Sequence, residues 1–217
     1  MLKKLLIIGS GGHFKVAINE ILKQKKYEIQ EIIDIKNFGK KLKINNKLKK
    51  IINYKKFNWS KVNQNTFLFI AIGDNYLRKK IVSEIKKENI KIKWGTVISR
   101  DAIIGKNVKI KPGSLVVSGS IINPGTIIGS HCVINTRSSI DHDNIFGDFS
   151  SSAPSVVTGG NVTVGELSFL GIRSTIINNI KIGSKTIIGA NSLVNKNCLS
   201  NYIYYGSPAK KIKKNII

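Results

Sequence analysis

The feature that most constrains this chain of 217 residues is a period of six. From Ile98 an apolar residue returns at Ile104, Ile110, Val116, Ile122, Ile128, Ile134, Ile140 and Phe146. The series lapses at Ser152 and Thr158, then resumes with Val164, Leu170, Ile176, Ile182, Ile188 and Val194, so 15 of 17 consecutive hexads carry an apolar anchor. A helix repeats at 3.6 residues and a half-buried strand at two, and neither produces this pattern. A parallel β-helix does, each hexad supplying a short strand and a turn, with three hexads closing a triangular coil. The anchor then points into the prism, and a small fifth residue such as Ser114, Thr126 or Ser150 fills the space beside it. Glycine often follows the anchor, as at Gly105, Gly129 and Gly147. It is expected to serve a tight corner where other residues would be strained. Cys132 and Cys198 share the inward fifth position and read as small core residues, not as a disulfide or nucleophiles.

The first third follows other rules. Residues 5–8 form an apolar strand that ends at Gly9-Ser10-Gly11-Gly12, and Phe14, Ala17, Ile18, Ile21 and Leu22 then mark one face of a helix. Residues 29–35 (with Asp34) and 66–72 read as two further strands, and residues 77–90 as a second helix. Strand–helix–strand order implies a small parallel, Rossmann-like α/β domain whose ligands bind at the carboxyl ends of the strands. The Lys/Asn-rich stretch 36–61 shows no period that imposes regular structure on all of it. The expected domains are residues 1–95 (α/β) and 96–217 (β-helix with a short C-terminal tail).

The formal net charge of +24 raises the question of a nucleic-acid partner. The cations do not cluster: residues 1–97 hold 23 basic and 7 acidic side chains, residues 98–217 hold 13 and 5. Aromatic residues are only 7%, and no basic run is interleaved with them, so no nucleic-acid partner is expected. The same charge suits phosphorylated small molecules. No apolar run approaches the ~20 residues of a membrane span, and the apolar stretch after Lys3-Lys4 stops at Gly9. The expectation is a cytoplasmic protein with no membrane span.

Two places have the makings of chemistry. Gly9-Ser10-Gly11-Gly12-His13-Phe14 begins like a dinucleotide fingerprint, but Phe14 stands where the third glycine belongs. The open readings are a backbone cradle for a nucleotide or phosphate at a helix N-terminus, or a plain turn. Among the histidines, His13, His131 and His142 share no metal-ligand spacing, and no metal is expected. With Ile140 as anchor, His142 and Asp143 take the third and fourth hexad positions and face outward at a corner. His142 is then either a solvated corner residue or a general base whose tautomer a carboxylate fixes. His131, at a comparable corner without that setting, reads as surface.

The chain resembles the sialic acid O-acetyltransferases and nucleotide-linked 4-amino-sugar N-acetyltransferases of bacterial surface-glycan synthesis. The matching stretches are Ile8-Gly9-Ser10-Gly11-Gly12-His13, Ala71-Ile72-Gly73-Asp74-Asn75 with Arg78, Ile134-Asn135-Thr136, Ile140-Asp141-His142-Asp143 and Gly206-Ser207-Pro208-Ala209-Lys210. The resemblance implies a left-handed β-helix, acetyl-CoA as co-substrate and a homotrimer. It also implies His142 as general base with Asp143 orienting it and Asn135 beside them. Gly11, Gly12, His13 and Asp34, with Gly73 and Asn75 nearby, would meet the nucleotide-linked amino sugar. Ser151, Gly160, Ile172, Ala190 and Pro208 would lie along acetyl-CoA between subunits. Phe14 departs from the family's small residue, and Ser151 stands where some members carry a second histidine. The implied reaction is N-acetylation of a 4-amino-4,6-dideoxyhexose. O-acetylation of a sialic acid-like sugar and a non-catalytic scaffold are the alternatives.

Overall fold

The computed structural model describes residues 2–88 and 92–216 and divides into two compact units, residues 1–97 and 98–217.

The first unit is a six-stranded sheet. Its elements are β1 (Lys3–Ile8), α1 (Gly12–Gln24), β2 (Tyr27–Asp34), β3 (Lys41–Ile44), β4 (Lys47–Asn53), β5 (Phe67–Ile70), α2 (Asn75–Lys87) and β6 (Lys93–Trp94). The strand order is β3-β4-β2-β1-β5-β6, with every pair parallel except the β3–β4 hairpin. β1 lies between β2 and β5, so its residues Leu5, Leu6, Ile7 and Ile8 are all buried. A continuous apolar run is what a strand covered on both faces requires. Phe14, Ala17 and Ile21 of α1 and Ile81, Val82 and Ile85 of α2 supply buried helix faces. α1 stops where Lys25 turns left-handed and its N–H bonds the Leu22 carbonyl. α2 starts where the Asp74 carboxylate accepts from Leu77 N at 2.7 Å. Ile90, to which the sequence extends α2, lies outside the described residues.

The stretch 36–61 is more ordered than its composition suggests. β3 and β4 form an antiparallel hairpin around Asn45 and Asn46, both at positive φ, the backbone that a two-residue turn demands. β4 then extends the sheet through Ile51 and Ile52, which pair with Ile32 and Ile33.

The second unit is a left-handed parallel β-helix. Each two-residue strand pairs with the strand 18 residues on: Leu115-Val116 with Val133-Ile134, and those with Ser151-Ser152. Three faces result, carrying strands such as Val133–Ile134, Ser139–Ile140 and Ile145–Phe146 in turn. The anchors from Val116 to Val194 line one buried core, with Cys132 and Cys198 among them. Two expectations need correction. The glycines after the anchors are not corner glycines of unusual φ. The left-handed residues are at the fourth hexad position instead, among them Arg137, Asp143, Asn161 and Arg173. Glycine after the anchor is demanded by the next coil, because a Cβ on Gly147 would come within 2.6 Å of Glu166 N. His131 is not a surface residue: it is 4% exposed and stacked on Phe149 at 5.0 Å and 7°. Phe149 stands 18 residues on, so the coil period puts the two rings face to face. The C-terminal tail is an antiparallel hairpin, Tyr202–Gly206 with Ala209–Lys214, which extends the first face.

Candidate functional site

In the first unit a cavity of about 410 Å³ opens at the carboxyl ends of β1, β2 and β5. Ser10, Gly11, Gly12 and His13 line one side, Asp34 to Asn37 a second, and Ala71 to Gly73 with Leu77 a third. α1 begins at this cavity with Gly11 as its N-cap and no capping side chain, which leaves its first N–H groups for a ligand. A Cβ on Gly11 or Gly12 would meet no heavy atom within 4 Å. Both positions border open space. Gly9 differs, since its φ is +102° and a Cβ there would press on Ala71 O at 2.8 Å. Phe14 is buried and is not among the lining residues, so the departure from the glycine fingerprint packs the core and leaves the cavity open.

Asp34 is already well occupied. Oδ2 accepts from Ser10 N and Ser10 Oγ, both at 2.6 Å, and Oδ1 accepts from Lys36 N at 2.7 Å and Asn37 N at 3.1 Å. Burial raises its pKa, but these four donors outweigh burial and hold the carboxyl below its ordinary value. They use about all the lone-pair sites a carboxylate offers, so Asp34 ties two walls of the cavity together. His13 is neutral at physiological pH: burial, then the nearby Arg78 charge, lowers its pKa to about 4. Its Nε2 is buried with no hydrogen-bond partner. Asn75 is not among the lining residues; its Oδ1 accepts from Arg78 Nη2 at 2.8 Å. The buried Arg78 guanidinium also donates to Ile72 O and Gly73 O, fixing the third wall. Arg78 stands in one of the stretches that carry the resemblance, and the sequence alone assigns it no task. Its place one turn inside α2, four residues after the Asp74 cap, is the signal that it faces the β5–α2 loop.

In the second unit His142 and Asp143 stand outward at the corner between the second and third faces, with side chains 54% and 59% exposed. His142 Nδ1 lies 2.9 Å from Asp143 Oδ2. The carboxylate can only accept, so Nδ1 carries the proton and Nε2 keeps its lone pair. The Asp143 hydrogen bond raises the His142 pKa, with smaller help from the charges of Asp141 and Asp143. Glycines make room for both side chains. A Cβ on Gly125, in the preceding coil, would collide with Asp143 Oδ1, and one on Gly160, in the next, would sit 2.5 Å from His142 Nε2. Gly160 is therefore the floor under the imidazole.

The remaining expected residues lie elsewhere on the prism. Asn135 is at the corner between the first and second faces, where its Oδ1 accepts from Thr136 N at 2.8 Å. Ile172 and Ala190 occupy that same corner in later coils, both exposed, and Pro208 is in the turn of the closing hairpin. Ser151 is buried on the first face, its N–H donating to Ser168 O. Within one chain, His142 with Gly160 and Asn135 with Ile172 and Ala190 thus mark two different corners. Cys198 is kept protonated by burial, which pushes its thiol up to about 11. Among the described residues no group of three or more His, Cys, Asp or Glu side chains could hold a metal. No described helix is long and apolar enough to cross a membrane.

Two family models and several known proteins are similar to this architecture. Residues 101–136 match the bacterial transferase hexapeptide family (six repeats), and residues 4–85 match the PglD N-terminal domain. The chain thus joins a PglD N-terminal domain to a hexapeptide array, as the sequence resemblance implied. GDP-perosamine N-acetyltransferase from Caulobacter crescentus, solved with CoA and GDP-perosamine, is similar over 97% of both chains, with 28% identity and a TM-score of 0.87. The acetyltransferase domain of PglB from Neisseria gonorrhoeae shares the fold over 97% of this chain and 100% of that one, with 23% identity and a TM-score of 0.85. A chloramphenicol acetyltransferase of Klebsiella aerogenes is 39% identical over 66 residues, which are 30% of this chain and 31% of that protein.

Proposed function

We propose that this protein is an acetyl-CoA-dependent N-acetyltransferase acting on the 4-amino group of a nucleotide-linked 4-amino-4,6-dideoxyhexose. The observation that carries the reading is the pairing of two sites. An uncapped helix N-terminus opens on a 410 Å³ cavity in a PglD-type domain, and an exposed His–Asp dyad stands on a hexapeptide β-helix. The full-length likeness to an enzyme solved with CoA and GDP-perosamine supports it.

The α1 N-terminus suits the diphosphate, with Gly11 and Gly12 leaving room for it and His13 beside it. Asp34, Gly73 and Asn75 act by shaping the cavity, Asn75 through Arg78. At the β-helix, the acceptor amine attacks the thioester carbonyl of acetyl-CoA. A C–N bond forms, the C–S bond breaks, and His142 Nε2 takes the proton that the nitrogen sheds. Asp143 stabilises the imidazolium, which returns its proton to the departing thiolate as CoA leaves. No covalent enzyme intermediate is needed.

Of the acetyl-CoA residues, Gly160 lies at the dyad's corner, whereas Ile172, Ala190 and Pro208 lie away from it, so a complete centre takes its base and Gly160 from one chain and the rest of its coenzyme wall from another. That arrangement supports a homotrimer with three interfacial sites. Apolar side chains exposed on the second and third faces, Ile103, Val157 and Ile145, suit such interfaces. The cytoplasm, where acetyl-CoA and nucleotide sugars are made, is the setting of the reaction.

The test is a screen of UDP-, GDP- and dTDP-linked 4-amino sugars with acetyl-CoA, read as thiol release, with NMR of the product. Release of thiol only with an amino sugar, and an amide in the product, is expected. An ester formed on a hydroxyl acceptor, or no turnover of any acceptor, would overturn the reading.

A further inference from the structure

Beneath His142 the interior of the β-helix departs from the pattern of its other coils. At the fifth hexad position a hydroxyl commonly donates to the carbonyl 15 residues on: Ser114 to Gly129 O, Thr126 to Asp141 O, Ser168 to Gly183 O. Position 144 carries the only side-chain amide in that column. Asn144 is fully buried, and its Nδ2 keeps the coil-to-coil bond, to Gly159 O at 2.9 Å. Nδ2 has two hydrogens, and it also reaches back into its own turn, to Asp141 O at 2.8 Å and His142 O at 3.1 Å, so one N–H is shared between two carbonyls. The Asn144 N–H is held in turn by Thr126 Oγ1 at 3.1 Å.

The two lapses in the anchor series belong to the same arrangement. Thr158 Oγ1 accepts from Asp141 N at 3.3 Å, and Ser152 Oγ accepts from Asn135 N at 3.2 Å. Apolar anchors at these two places would leave both N–H groups without those acceptors. On the outer side, Asp141 Oδ1 accepts from Asn123 Nδ2 and His142 N. The turn that carries His142 is therefore gripped from inside and outside.

Asn144 Oδ1 is buried without a partner. A buried acceptor left unsatisfied is destabilising, and serine or threonine would stack the coils without that penalty. What the amide adds is its hold on the Asp141 and His142 carbonyls. We propose that Asn144 is a positioning residue for His142, fixing the turn so that the imidazole stays on Asp143 and over Gly160. This rests on the reading of His142 as the base.

The experiment compares Asn144→Ser with Ser114→Ala and His142→Ala in the full chain, using the amino-sugar acceptor that the wild type turns over. The serine of Asn144→Ser would retain a hydroxyl for Gly159 O and lose the grip on the turn. Misplacement of a catalytic group by about 1 Å can cost on the order of a hundredfold. The expected result for Asn144→Ser is a fall in kcat of at least about tenfold with both KM values within about twofold. The acid limb of kcat/KM should move to lower pH, because a looser dyad loses part of the Asp143 bond that raises the His142 pKa. Ser114→Ala removes a coil-to-coil bond far from the corner and should keep kcat and the pH midpoint. If Asn144→Ser does not fold, Asn144→Thr is measured in its place. Wild-type kcat and pH midpoint in the Asn144 variant, or the same losses in Ser114→Ala, would overturn the inference. Full activity in His142→Ala would instead overturn the base assignment on which it rests.

Discussion

At the scale of single residues, the two histidines of the proposed sites are set in opposite directions by their surroundings. His13 is pushed down to about 4 by burial and by Arg78, whereas His142 is raised by Asp143 in the open. His13 links stability to pH. Below its ordinary pKa of about 6.5 the unfolded chain takes up a proton that the folded chain refuses until about pH 4, so stability falls through that window by up to about 3 kcal/mol. Urea unfolding should show the midpoint dropping between about pH 7 and about pH 5, with a smaller drop in His13→Gln. Equal slopes in the two proteins would contradict the buried neutral imidazole. Gly12 makes a second prediction. With open space beside it, Gly12→Val should fold normally and raise the acceptor KM while the KM for acetyl-CoA hardly changes. A variant that loses acetyl-CoA instead would mean that the two binding sites had been exchanged.

At the scale of elements, the hexads are close-packed at their backbones. Gly147→Ala would drive a Cβ to 2.6 Å from Glu166 N, an atom that cannot move without breaking the coil. Such overpacking costs about 1–3 kcal/mol, so a melting temperature lower by at least about 3 °C is expected. Gly11→Ala, whose Cβ meets nothing, is the matched control in the other unit. The β-helix was legible because inward anchors must recur whenever coils stack, and the dyad because adjacent residues at a corner face outward together. The β3–β4 hairpin was hidden by lysines along both strands, with only its Asn45-Asn46 turn to betray it. The closing hairpin falls outside the period of six. The coil-to-coil bond of Asn144, the task of Thr158 and the burial of His131 could not be read locally, since the partners stand 15 to 18 residues away in neighbouring coils. Asp34 was visible as an acid at a strand end, but the four donors around it depend on how two loops fold back.

At the scale of the molecule, the proposed function divides the tasks: the α/β unit would hold the acceptor and the β-helix would activate it. The proposed coenzyme residues Ile172, Ala190 and Pro208 stand away from the dyad's corner, so more than one chain is required for a complete centre. Sedimentation equilibrium at micromolar concentration should give a trimer, and a monomer would remove the interfacial coenzyme site. The central claim is that His142 is the base for acetyl transfer, and steady-state kinetics of His142→Ala across pH addresses it most directly. A positioned base contributes typically about 10²–10⁴-fold, so kcat at neutral pH should fall at least about a hundredfold with both KM values and the trimer preserved. In the wild type kcat/KM should rise with pH through the raised pKa of His142, since only the neutral imidazole accepts a proton, and the variant should lack that limb. Wild-type kcat with an unchanged limb in His142→Ala would contradict the account.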